Sequence, residues 1–217
     1  SKSLDAAPAG SWATGSKVRR ITFLAGAAAA IVLAIILFIQ PSPAGQPSIA
    51  RVVKLSGAIV WTGDGGQMVD NLNVGDLIKE GTLETLAANS WAEIEFLDGS
   101  TIWVSGAALL TLSDGEQGKF IHLRRGDLSA DVAAQPAGKP LRLMTPSAEA
   151  EVLGTQFNVT AGPEATRVSV NEGLVSVERL VDGSVQKVPA NHLVVAALER
   201  ESEFKAIPHG VPGFPWK

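Results

Sequence analysis

Residues 141–177, LRLMTPSAEAEVLGTQFNVTAGPEATRVSVNEGLVSV, decide the fold. Apolar residues alternate with polar ones at Val168, Val170, Val175 and Val177, with Leu174 placed just after a turn. A period of two buries one face of a strand, so the stretch predicts four or five short strands in close succession. Its punctuation agrees. Pro146 restricts the backbone beside Thr145, and Gly154 interrupts a run of β-branched and aromatic residues. Asn171-Glu172-Gly173 has the form of a short hairpin loop with glycine at the left-handed position. No nucleophile, base or ligand set accompanies these turns, so the chemistry expected here is recognition.

The same texture extends to both sides. IARVVKL begins at Ile49 and AIVW follows Gly57. In WAEIEFLDGSTIWV, residues 91–104, Ala92, Ile94 and Phe96 alternate with Glu93 and Glu95 ahead of an Asp98-Gly99 turn, a hairpin signature. Asp-Gly recurs at Asp64, Asp114 and Asp182, and Gly-Asp-Leu occurs at Gly75 and again at Gly126. Turns at this spacing, with no long amphipathic helix between them, predict an all-β domain over residues 49–198, either a sandwich or a short solenoid. Beyond Leu198 the pattern gives way to LERESEF and a Pro/Gly-rich ending, read as a linker or tail over residues 199–217.

The N-terminal part is different. Residues 1–20 lack either period and predict a short disordered cytoplasmic tail. Residues 21–39 carry no charge, and as a helix of 19 residues would extend about 28 Å, the thickness of a bilayer core. The run exceeds the 7–15 apolar residues of a usual signal peptide, which favours an uncleaved anchor. Lys17, Arg19 and Arg20 precede it, placing the N-terminus in the cytoplasm and the remainder outside. Residues 40–48, QPSPAGQPS, cannot continue a helix and predict a linker. The expected topology is thus a single pass through a bacterial inner membrane with a periplasmic C-terminal domain.

Charge and composition exclude several functions. Lys2, Lys17, Arg19 and Arg20 against Asp5 leave residues 1–40 at +3, while fourteen basic and twenty-one acidic residues leave the rest at −7. A nucleic-acid surface on the acidic part is not expected. The absence of cysteine removes thiol chemistry, disulfides and cysteine-ligated zinc. His122, His192 and His209 have no partner at metal spacing, and Glu93/Glu95 and Glu149/Glu151 read as solvated strand faces. No phosphate loop or nucleophile elbow occurs. No catalytic residue, cofactor or metal is therefore expected. The candidates for contact with a partner or sugar are Trp61, Trp91 and Trp103, aromatics in strand patterns whose blander role is core packing.

Taken in order, NVGDLIKEGTLETLAANSWAEIEFLDGSTIWV, FIHLRRGDLSADV, LMTPSAEAEVLGTQFNVT and TRVSVNEGLVSVERL resemble the periplasmic domain of the FecR-like family over about residues 50–196. The most specific positions are Thr145-Pro146, Gly154-Thr155 with Phe157, and Glu172-Gly173 ahead of alternating valines. The resemblance implies an all-β extracytoplasmic domain of a sigma-factor regulator. Such a protein holds a sigma factor through a cytoplasmic segment and receives a signal from an outer-membrane receptor. Three features depart from the family pattern: only about twenty residues precede the apolar run, the sequence stops soon after the β-domain where such regulators are expected to continue into a second periplasmic subdomain, and, more mildly, Asn191-His192 stands where the family tends to Gly-Gln. Two function classes follow, a membrane-anchored sensory module working by protein contact, and a cell-envelope anchor or polysaccharide-associated domain presenting a downstream module.

Overall fold

A computed structural model describes residues 47–63, 65–69 and 72–209. The expected tail, apolar span and most of the Pro-rich linker lie outside the described residues. Among the described residues no helix is long and apolar enough to cross a membrane.

The described residues are all-β. The first strands are β1 (Ala50–Ser56), β2 (Ile59–Gly63), β3 (Met68–Val69), β4 (Leu77–Ile78), β5 (Gly81–Thr85) and β6 (Trp91–Phe96). Two long strands follow, β7 (Thr101–Gly115) and β8 (Gly118–Asp131). The chain continues through β9 (Leu141–Met144), β10 (Ala148–Val152), β11 (Gln156–Ala161), β12 (Ala165–Glu172) and β13 (Leu174–Arg179). It closes with β14 (Ser184–Pro189), β15 (His192–Ala197) and β16 (Ile207–Pro208).

The β7–β8 hairpin organises everything else, because its two halves belong to different sheets. Near its base, β7 pairs with β6 and β8 with β11. This first sheet runs β4-β1-β6-β7-β8-β11-β12-β15-β16. Toward the hairpin tip, β7 pairs with β5 and β8 with β9, giving a second sheet in the order β3-β2-β5-β7-β8-β9-β10-β13-β14. Among the described strands only β8 and β9 run parallel.

The bend between the halves has a local cause. The register slips between Ser105 and Leu109, and Gly106 and Gly126 adopt φ of 75° and 102°. Backbone passes so close here that a Cβ on Gly126 would lie 2.4 Å from that of Ala108. Buried Thr85 clamps the bulge: its hydroxyl donates to the Gly106 carbonyl and accepts from the Ala108 N–H at 2.8 Å. Arg125 adds Nε to the Ala107 carbonyl at 3.0 Å and Nη2 to Glu84 at 2.6 Å. The second Gly-Asp-Leu is therefore a bend inside a strand, whereas the first lies in the turn before β4.

Alternate residues of both sheets meet in one core. Ile102 and Val104 from the base of the hairpin, Leu110 and Leu112 from its tip, and Phe157, Val175 and Val177 are all fully buried in a single cluster. Each such side chain contributes about 1.5–3 kcal/mol relative to exposure.

Two expectations need correction. Asn171-Glu172-Gly173 is not a hairpin loop: β12 pairs with β11 and β15, and β13 with β10 and β14. Gly173, at φ 86°, carries the chain from the first sheet to the second, and Leu174 emerges 48% exposed. Partner strands already in place on each sheet outcompete the local hairpin. Residues 199–209, expected as linker or tail, keep mostly exposed side chains but dock on the domain through Phe204 and Ala206. Buried Arg179 binds Asp182, donates Nη1 to the Ser202 carbonyl at 2.8 Å and lies 5.0 Å from the Phe204 ring. β16 then closes the edge beside β15.

Candidate functional site on the outer face of the first sheet

The signature positions come together as a corner, not a site. Thr145 Oγ1 caps the turn into β10 by bonding both the N–H and the carbonyl of Ala148 at 3.0 Å. It also accepts from Thr166 Oγ1 at 2.7 Å, which in turn accepts from Ser147 at 2.8 Å. Pro146 is exposed above this buried hydroxyl chain. Gly154 makes the crossing back from the second sheet to the first, and the two crossings touch: a Cβ on Gly173 would lie 2.5 Å from Thr155 Cγ2 and 3.1 Å from the Gly154 carbonyl. Phe157 is fully buried, and Glu172 is exposed beside the corner.

The three tryptophans separate. Trp61 is only 5% exposed and packs under Gly81, whose missing Cβ would lie 2.7 Å from the indole. Trp91 and Trp103 are partly exposed on the outer face of the first sheet. There they stack with centroids 4.1 Å apart and planes 13° from parallel.

Register lays out the rest of that face. Glu93 stands across from Trp103, Trp103 across from Ser129, Ser129 across from Asn158, and Asn158 across from Ser169. One step along the strands, Trp91, Ser105, Asp127, Thr160 and Arg167 form the neighbouring row. On the β1–β6 side the charges are paired, Arg51 with Glu95 at 2.6 Å and Lys54 with Glu93 at 2.9 Å. Beyond the indole stack, the small side chains of β8, β11 and β12 leave a trough of about 330 Å³ lined by Asp127, Ser129, Asn158, Thr160, Arg167 and Ser169. Its floor is ordered: Ser129 donates to Asn158 at 2.6 Å, Asn158 donates to Asn171 at 3.2 Å, and Thr160 donates to Asp127 at 2.7 Å. These hydroxyl and amide residues were missed in the sequence. Their signal is weak, since Ser and Asn alternating with Leu and Val marks any half-buried strand.

The outer face of the second sheet differs in character. Glu149, Glu151 and Glu178 surround a smaller hollow beside Val185, and Arg142 reaches Glu151 at 3.5 Å. His122, on the same side of β8, has its pKa lowered by burial and then by nearby Arg124. Among the described residues no group of three or more His, Asp or Glu is placed to hold a metal.

Comparison with known proteins agrees with this architecture. The family model described as FecR protein matches residues 82–176, from β5 into β13, so the FecR-like resemblance holds over that stretch. Two crystal structures from Parabacteroides distasonis, both described as a candidate anti-sigma factor, are similar in fold. Each has a TM-score of 0.50, at 21% and 22% identity, covering 57% of this chain and 57% and 58% of theirs. The chain thus spans well under two thirds of those structures. No curated protein matches the chain.

Proposed function

We propose that this chain is a regulatory module of the FecR type, anchored in a bacterial inner membrane and exposing its β-domain to the periplasm, where it works by protein contact. The observation that carries the reading is the FecR match over residues 82–176, which contains the bent hairpin and both sheet crossings. The apolar run 21–39 behind a basic cluster supports the anchor. A sigma factor on the cytoplasmic side and an outer-membrane receptor on the periplasmic side are the expected partners. The role is regulatory, without a reaction of its own.

Strand β14 offers an extended edge for such a contact. β14 is six residues long, and no described strand pairs with its far side, whereas β3, β4 and β16 are two residues each. Ala190 N–H bonds the Gly173 carbonyl at 3.0 Å, which fixes the alternation along β13–β14. Residues 184, 186 and 188 direct their backbone groups to β13, and Val185 and Lys187 direct theirs outward. An incoming strand would find two outward N–H groups there, with Pro189 ending the run.

The test is affinity capture with the tagged full-length chain from detergent-solubilised envelopes of its own host. Recovery of a sigma factor or a TonB-dependent receptor is expected. Recovery of neither, together with retention on peptidoglycan, would overturn the reading. Release by alkaline carbonate would overturn the anchor separately.

A further inference from the structure

The geometry points to a saccharide-binding site on the outer face of the first sheet, in the trough that runs from Asp127 and Ser129 to Arg167 and Ser169. It is independent of the β14 edge and of the regulatory reading. Three observations carry it.

First, the trough is built from small polar side chains on three adjacent strands, and their hydrogen bonds fix them before any ligand arrives. Ser169 is only 6% exposed, and Asn158 is held from both sides by Ser129 and Asn171. Ser129 and Thr160 have committed their single O–H and keep acceptor lone pairs, while Asn158 keeps one N–H and one lone pair; with the Ser169 hydroxyl they make a mixed donor and acceptor set that matches a polyol. Prior ordering lowers the entropy lost on binding.

Second, the trough carries two formal charges of opposite sign that do not satisfy each other. The ion pairs among the described residues include neither Asp127 nor Arg167, in contrast to the paired charges on the β1–β6 side of the same face. Asp127 accepts from Thr160, and Arg167 Nη2 lies 3.3 Å from His209 Nε2. Strand β11 separates them, so their positions lie two strand spacings apart, about 9.5 Å. Across that gap the two side chains are turned to other partners and leave the space between them open. That space suits a ring whose hydroxyls donate to the carboxylate at one end and whose oxygens accept from the guanidinium at the other.

Third, the row of residues that lines the trough continues, on the next strand, into aromatics. Trp103 stands directly across from Ser129, and the stacked pair is partly exposed on this face. Apolar C–H faces of a pyranose pack against indole in the way other amphipathic groups do, one side dry and the rim wet. A volume of about 330 Å³ is at the lower end of small-ligand sites, about 300–1,000 Å³, which fits one or two sugar rings of a longer chain lying along the sheet.

The test is titration of the full-length, detergent-solubilised protein with cellotetraose, chitotetraose and trigalacturonate, following backbone amide resonances, with the dipeptide alanylalanine as the competing zwitterion. Saturable shifts confined to residues 127–129, 158–160 and 167–169 are expected with at least one saccharide. Asp127→Asn and Arg167→Ala should each weaken that binding tenfold or more with unchanged thermal unfolding, while Glu149→Gln on the other sheet leaves it intact. No saturable shift with any saccharide, saturation by the dipeptide alone, or affinity indifferent to both substitutions would overturn the site. None of these outcomes bears on capture of a sigma factor or receptor, so this proposal and the regulatory one fail separately.

Discussion

At the scale of single residues, two glycines in the same tripeptide have different duties, and substitution separates them. Gly75 and Gly126 both hold positive φ, 95° and 102°. Around Gly75 a Cβ would meet nothing within 4 Å, whereas at Gly126 it would collide with Ala108 at 2.4 Å. Gly75→Ala should therefore cost only left-handed strain, about 1–2 kcal/mol. Gly126→Ala should add overpacking at the bend, for a total of about 3–4 kcal/mol. Urea unfolding of the two variants checks this, and equal losses would show that the close approach at the bend is not stabilising. Asn191 gives the converse lesson. It is the one described non-glycine residue with positive φ, at 60°, where the resemblance led one to expect glycine. Asparagine tolerates that region better than other side chains, so the departure preserves the backbone. That much was legible from residue type. What Gly126 does was not, because its partner Ala108 and the clamp Thr85 lie far along the chain and nothing in Arg-Gly-Asp distinguishes a bend from a turn.

At the scale of elements, the hairpin of β6 and β7 was readable because its alternation and its Asp98-Gly99 turn are contiguous. The structure adds a staple on that turn. Asp98 accepts from Lys119 at 2.7 Å, from Gln135 at 2.8 Å, and from Ser100, tying the turn to β8 and to the loop after it. Burial raises the carboxyl's pKa, but the bonds from Lys119, Gln135 and Ser100 outweigh it and hold the group at about 2. A depressed pKa stabilises the fold above the unfolded value of about 3.9 and loses that contribution as pH falls toward 2. Partial exposure screens it to an effect on the order of 1 kcal/mol. Asp98→Asn should flatten the stability curve between about pH 4 and 2, measured by chemical denaturation. An unchanged slope would refute the staple. The loop 171–173 was misread because its local chemistry is that of a hairpin, and only the ladders β11–β12 and β10–β13 reveal a crossing. The same ladders expose β14. Lys187→Pro removes an outward N–H without touching the ladder, a placement edges tolerate. It should leave stability within about 1 kcal/mol while abolishing capture of a strand-adding partner. Gln186→Pro breaks a bond to β13 and should cost about 3 kcal/mol. Undiminished capture by Lys187→Pro would exclude the edge as the contact.

At the scale of the whole domain, period-two alternation specified a buried face for each strand but could not assign strands to sheets. β7 and β8 form one continuous hairpin, yet each supplies a central strand to both sheets. The trough on the first sheet was illegible for the same reason, since Ser129, Asn158 and Ser169 become neighbours only through cross-strand register. Sharing the hairpin has a thermodynamic consequence. Ile102 lies in its first-sheet half and Leu110 in its second-sheet half, both fully buried in one cluster. Neither sheet can lose its middle strands while the other keeps them, so the two should unfold in a single cooperative step. Ile102→Ala and Leu110→Ala should each cost about 2–5 kcal/mol and shift the same transition. Fluorine resonances of 5-fluorotryptophan give each sheet its own probe, Trp61 on the second and Trp91 with Trp103 on the first. Coincident midpoints for these signals in both variants are expected. If Ile102→Ala moved the Trp91 and Trp103 signals while leaving that of Trp61 in place, the halves would be separable domains and the hairpin a hinge between them.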